Sequence, residues 1–182
     1  MGDALAQEPD GEIDWDEVLD PATGWLKPGV HEVEIEELDE EFVVARDDAL
    51  REHTWAAFLA LLHQTKSLYP SGRMLLAGTF VSRQASPLDI LSVVIVPDEP
   101  TTIEQWTEAE WDRFYQHVSL YDVILGSLGP TYMPVLHPFG GRIEVILCHP
   151  DDADEVVSWM GAVLLGDGRE VPGARGAAEV VW

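Results

Sequence analysis

The chain has 182 residues, 46% of them hydrophobic, with 34 Asp and Glu against 10 Lys and Arg for a formal net charge of −24. This length holds one domain with a real core, and the charge argues against direct binding of nucleic acid, whose affinity comes from counterions released to Lys and Arg. No apolar run approaches the roughly 20 residues that span a bilayer, and a single cysteine, Cys148, excludes an internal disulfide framework and cysteine-rich zinc sites.

Residues 1–23 read as an acidic, mobile arm with one short amphipathic turn around Ile13, Trp15, Val18 and Leu19. Its first residues, Met1 to Glu8, lack the basic and apolar regions of a secretory signal, so a cytoplasmic protein with no membrane contact is expected. Trp15, Leu19 and Trp25 are the residues expected to dock the arm. Residues 24–165 read as one domain and 166–182 as a glycine-rich tail, whose end, Ala177 to Trp182, is either an edge strand or loose.

Within the domain, Val33 and Ile35 alternate with Glu32, Glu34 and Glu36 as a half-buried extended piece. A short helix is expected from Glu36 to Phe42, with Leu38 and Phe42 on one face. The strongest helical pattern runs from Asp47 to Leu68, capped by Asp47 or Asp48 and stopped by Pro70 and Gly72. Its apolar stripe is read as Leu50, Phe58, Leu61, Leu62 and Leu68, widened by Trp55 and Leu59. His53 and His63 are ten positions apart and are expected to be exposed, since that spacing forms no metal pair.

Met74 to Ala77 predicts a strand ending in Gly78-Thr79, and Asp89 to Val96 predicts a second strand covered on both faces. Thr107-x-x-Glu110 is a capping box for a helix reaching about Leu120. Tyr132 to Leu136 and Arg142 to Cys148 read as paired strands joined by residues 137–141. Asp151 to Leu165 reads as a last helix with acids in its first turn. The order implies an α/β (α+β) fold, a small mixed sheet flanked by helices.

The chemistry sits between the first two of those strands. A Gly-Thr turn lets backbone approach a phosphate and adds a hydroxyl donor. Acids on the following strand suit magnesium, which prefers carboxylate oxygens. Two acids one residue apart on a strand point to the same face, but here Asp89 is followed two positions on by Leu91. Ser92 points to the opposite face and does not replace the missing acid. Other catalytic sets are weaker: Cys148 and His149 are neighbours that point apart, and no lysine follows Gly166-Asp167-Gly168 as a phosphate loop would need.

Gly78-Thr79-Phe80-Val81-Ser82, then Pro87-Leu88-Asp89-Ile90, resembles the Gly-Ser-Phe-Val…Pro-Asn-Asp-Ile-Asp pattern of a small bacterial family of uncharacterised proteins. That family belongs to the polymerase-β-like nucleotidyltransferase superfamily. Leu26-x-Pro28-Gly29-Val30-His31, with Glu37 and Glu41-Phe42, is similar to the family's Leu-Pro-x-Gly-Ile-His…Glu…Arg-Phe opening. The resemblance covers Gly24 to Asp98. It implies a nucleotidyltransferase-like fold, with Gly78 and Thr79 at the phosphate turn and Asp89 as the first metal ligand. Leu91 stands where the second ligand belongs, so the magnesium-binding motif is degenerate. From strand order, Glu144 is the candidate third carboxylate, and Arg83 and Arg142 are the nearby cations for a nucleoside triphosphate. One lost carboxylate at about 4 Å removes ~4 kcal/mol of raw attraction at an effective dielectric near 20. Weak or absent binding of magnesium and nucleotide is therefore expected.

The leading expectation is a non-catalytic binding or regulatory protein, a pseudoenzyme. One rival is an atypical active nucleotidyltransferase working through Asp89 and Glu144. Another is an acidic module that holds a basic protein through Glu32, Glu34, Glu36, Glu37, Asp39, Glu40 and Glu41.

Overall fold

The computed structural model describes residues 13–84, 90–99, 107–109, 143–164 and 168–182. Among these residues the fold is the expected mix of helices and a mixed sheet. Five strands lie in the order β1-β7-β2-β3-β4. β2 (Gly72–Ala77) is central, antiparallel to β3 (Leu91–Pro97) on one side and to β7 (Ala177–Val181) on the other. β1 (Val30–Glu32) runs parallel to β7, and β4 (Ile143–Leu147) parallel to β3.

β2 and β3 are apolar at successive positions because both faces of the sheet are covered. Met74, Leu76, Leu91, Val93, Ile95 and Ile143 lie in a core shared with α2 (Ile35–Phe42) and α3 (Ala49–Leu68). Leu75, Ala77, Val94 and Val96 face the other way, where Val156, Val157 and Met160 of α4 (Ala153–Met160) pack.

α3 starts where Asp48 accepts the Leu50 N–H at 2.7 Å, so of the two candidate caps Asp48 is used. Asp47 instead takes a left-handed conformation, with φ of 50°. The buried stripe differs from the expected one. Arg51, Thr54, Trp55, Phe58, Leu61, Leu62 and Thr65 are buried, whereas Leu50 and Leu59 are exposed. Polarity misled the pattern: the Thr54 and Thr65 hydroxyls donate to the carbonyls of Leu50 and Leu61 within the helix and so enter the core already satisfied. His53 and His63 are exposed as expected.

Residues 13–23 dock on the body. The Trp15 ring meets Phe42 edge-on at 4.9 Å, and Glu37 accepts the backbone N–H groups of Ile13 (2.7 Å) and Glu34 (2.9 Å). This arm contains α1 (Trp15–Val18), and Leu19 pairs with Leu26 across the turn that follows. Residues 1–12 lie outside the described residues, as do the expected strand Tyr132–Leu136 and the helix beyond residue 109.

Two expectations for the C-terminal part need correction. The long helix from Asp151 is a 3₁₀ turn, Pro150–Asp152, and then α4, which stops at Met160. A Cβ on Gly161 would lie 2.2 Å from the Arg175 carbonyl, and the chain turns there into a hairpin of β5 (Val163–Leu164) and β6 (Glu170–Val171). The tail is not at an edge: β7 fills the slot between β1 and β2, with Ala178 and Val180 buried in the core. Small and β-branched residues in Ala177-Ala178-Glu179-Val180-Val181 suit that covered position. Ending the chain after Gly176 is therefore expected to abolish the cooperative thermal transition followed by circular dichroism. A truncated chain that melts like the whole one would show β7 to be dispensable.

Candidate functional site

The turn after β2 is built on a close backbone approach. Gly78 has φ of +93°, and a Cβ there would lie 2.3 Å from the Ile90 carbonyl oxygen. Both conditions demand glycine. The Ile90 N–H donates to Thr79 Oγ1 at 2.9 Å, and the Phe80 N–H donates to the Ile90 carbonyl at 3.2 Å. The Gly-Thr pair thus fastens the start of β3 to the end of β2.

A buried cation holds the same turn from below. Arg51, 3% exposed, reaches from the first turn of α3. Its guanidinium donates to the carbonyls of Phe42 (3.0 Å), Phe80 (2.9 Å), Thr79 (3.3 Å) and Ser82 (3.4 Å). It also lies 5.3 Å from the centre of the Phe80 ring. Sequence reading missed this residue. The available signal was a lone basic residue at helical spacing with Trp55 and Phe58, in a chain with 10 basic residues in all.

The expected ligand positions are described in part. Leu91 is fully buried beneath α3, and its register partner on β4 is Ile143, 1% exposed. Glu144 is the register partner of Ser92 and accepts from its hydroxyl at 3.4 Å. Glu144 therefore lies on the opposite face of the sheet from Leu91. Asp89 and Arg142 lie outside the described residues. Of the two acids expected to hold magnesium, Asp89 and Glu144, Glu144 alone is among the described residues. The position two beyond Asp89 and its neighbour on β4 are both core hydrocarbons. Among the described residues no group of three or more His, Cys, Asp or Glu side chains could hold a metal ion.

Arg83, expected to meet a phosphate, is engaged by acids. Its Nε donates to Glu41 at 2.7 Å and a terminal nitrogen to Asp16 at 2.6 Å. These hydrogen bonds, Glu41 first, raise its basicity above the usual arginine value. Arg46 meets the same Glu41 oxygen at 3.0 Å, while burial pushes the Arg46 guanidinium below its usual value. Of the acids expected to hold a basic partner, Glu37 and Glu41 are thus committed to internal contacts. Glu32, Glu34, Glu36 and Glu40 are exposed.

Fold and site together define an α+β protein with a mixed sheet and a glycine-threonine turn between antiparallel strands. The model of DUF6932, a family of unknown function, matches residues 19–163, and the chain belongs to that family. No curated protein and no solved structure matches it. The matched span contains α2, α3 and β1 to β4 but not β7.

Two substitutions test this construction. Leu91→Asp is expected to lower stability by about 4 kcal/mol or more, since it places an unpartnered carboxyl in the core. Leu91→Met is expected to cost about 1 kcal/mol. Urea unfolding measures both, and a Leu91→Asp protein as stable as the wild type would mean that the position faces water. Arg51→Met keeps the stem and removes the donors. It is expected to cost about 3 kcal/mol or more because buried carbonyls lose their partners. An unchanged denaturation midpoint would rule out the clamp.

Proposed function

We propose that this protein has a nucleotidyltransferase-like scaffold that works by binding or regulation and not by turnover. Support for the scaffold comes from the resemblance around Gly78-Thr79, from the antiparallel pairing of the two strands that flank that turn, and from the parallel strand beside them. The one observation that carries the absence of turnover is the Leu91–Ile143 pair, 0% and 1% exposed. In-line phosphoryl transfer relies on metal ions to neutralise developing charge. A pair of buried hydrocarbons offers no ligand to such an ion.

The test is pyrophosphate release from each of the four nucleoside triphosphates with magnesium or manganese. No release above the buffer control is expected. Magnesium-dependent release that Asp89→Ala abolishes would instead establish an atypical active transferase.

A second reading has its own observation. Glu32, Glu34, Glu36 and Glu40 are exposed along β1 and α2 in a chain of net charge −24, which suits a basic protein partner. Such a complex weakens steeply with salt. A partner held equally well at low and high salt would remove this reading.

A further inference from the structure

A cavity of about 350 Å³ lies between the turn before β1 and the segment leading into β7. Trp25, Lys27, Gln84 and Arg175 line it, together with Thr23 and Asp20. Its volume is within the range of pockets that hold small molecules.

Arg175 is held there by its backbone. Its N–H donates to the Gly161 carbonyl at 3.0 Å, and the next residue, Gly176, donates to the Leu26 carbonyl at 2.9 Å. Gly161 and Gly176 leave no room for side chains: a Cβ on either would lie 2.2 Å or 2.1 Å from a backbone oxygen. The Trp25 backbone is fixed as well, since Trp25 bridges to Ser82 and its carbonyl accepts the Asp20 N–H at 2.8 Å. The guanidinium carbon rests 3.6 Å from the centre of the Trp25 ring.

Stacking uses the face of a guanidinium and leaves the N–H groups at its edge. Arg46, Arg73 and Arg83 each hold a carboxylate. Arg175 is different: among the described residues no carboxylate lies within ion-pair distance of it, in a chain with 34 acids. Burial alone pushes its basicity down, with no acid opposing that shift. Among the described residues the one acid lining the cavity, Asp20, turns an oxygen onto the N–H groups of Ala22 (2.7 Å) and Thr23 (3.2 Å). Lys27 adds a second positive charge to the wall.

The geometry points to a binding site for a small-molecule oxyanion, a carboxylate or a phosphate, held by the edge of Arg175 with its face on Trp25. A forked guanidinium meets two oxygens of such a group at once. Lys27 supplies further attraction, and the indole gives a flat wall for whatever carries the anion. The site does not rest on the Gly78-Thr79 turn, none of whose residues lines it. It also joins Trp25, inside the family match, to Arg175, beyond its end.

The experiment titrates inorganic phosphate and, separately, acetate into the full chain at constant ionic strength set with sodium chloride. Binding is read by calorimetry and by the indole N–H resonance of Trp25, assigned with Trp25→Phe. Saturable binding of one anion that shifts this resonance is expected. Phosphate alone, or acetate alone, identifies the oxyanion. Arg175→Gln is expected to weaken binding about tenfold or more, and Arg175→Lys to weaken it as well, because a point charge replaces the fork. Lys27→Gln, at an exposed position, is the second variant should Arg175 prove necessary for folding, and a several-fold loss is expected. Failure of both anions to saturate overturns the proposal. So does affinity unchanged in Arg175→Gln, or, where that variant does not fold, unchanged in Lys27→Gln.

Discussion

The guanidinium of Arg51 ties together pieces of chain that lie apart in sequence. It joins the end of α2, the start of α3 and the turn between β2 and β3 through the carbonyls it binds. Those carbonyls lie at the C-terminal end of α2 and in the short turn after β2, where helix ends leave acceptors without backbone partners and burying them is costly. A fork of donors aimed at several of them answers the whole problem with one residue. The aromatic layer beside it, where Trp55 stacks on Phe58 at 5.0 Å and faces Phe80 at 6.2 Å, then closes over the clamp. The position of the Gly78-Thr79 turn follows from this arrangement.

Cations are scarce in this chain, and their employment separates architecture from recognition. Arg46 and Arg83 converge on Glu41, and Arg73 meets Glu179 across the β2–β7 pair at 3.1 Å. The Arg83–Glu41 and Arg73–Glu179 pairs join segments distant in sequence. Exposed pairs of this kind contribute little by themselves, but Glu41 is largely buried, which raises the cost of leaving it alone. The charge of Arg175 is answered by an aromatic face. Aromatic stacking holds a guanidinium in place without neutralising it.

The sequence made β2, β3, α2 and α3 legible, because continuous apolar runs and a clear cap leave few alternatives. It left β7 as either an edge strand or loose chain and did not place it inside the sheet. Ala177-Ala178-Glu179-Val180-Val181 is short, follows glycine-rich chain and gains its strand character from neighbours far away in sequence. Arg51 was hidden for a related reason, since a charged residue on an apolar stripe reads as a gap until its carbonyl partners are seen. The site was legible as a pattern and not as a geometry. The glycine at residue 78 allows a close backbone approach to Ile90, and Glu144 shares a face with Ser92 and not with Leu91, because successive residues of a strand alternate. The match to DUF6932 agrees with the uncharacterised family that the motif resembles only at the level of unknown function.

The placing of β7 has a bearing on how the molecule is made. Arg73 and Glu179 are 106 residues apart, yet they sit on adjoining strands at the middle of the sheet. During synthesis at the ribosome, β2 emerges long before its second neighbour exists. One flank of an apolar strand then waits open, the situation in which nascent chains adhere to one another. Pairing over such a separation is also slow. The net charge of −24 supplies mutual repulsion between those waiting chains.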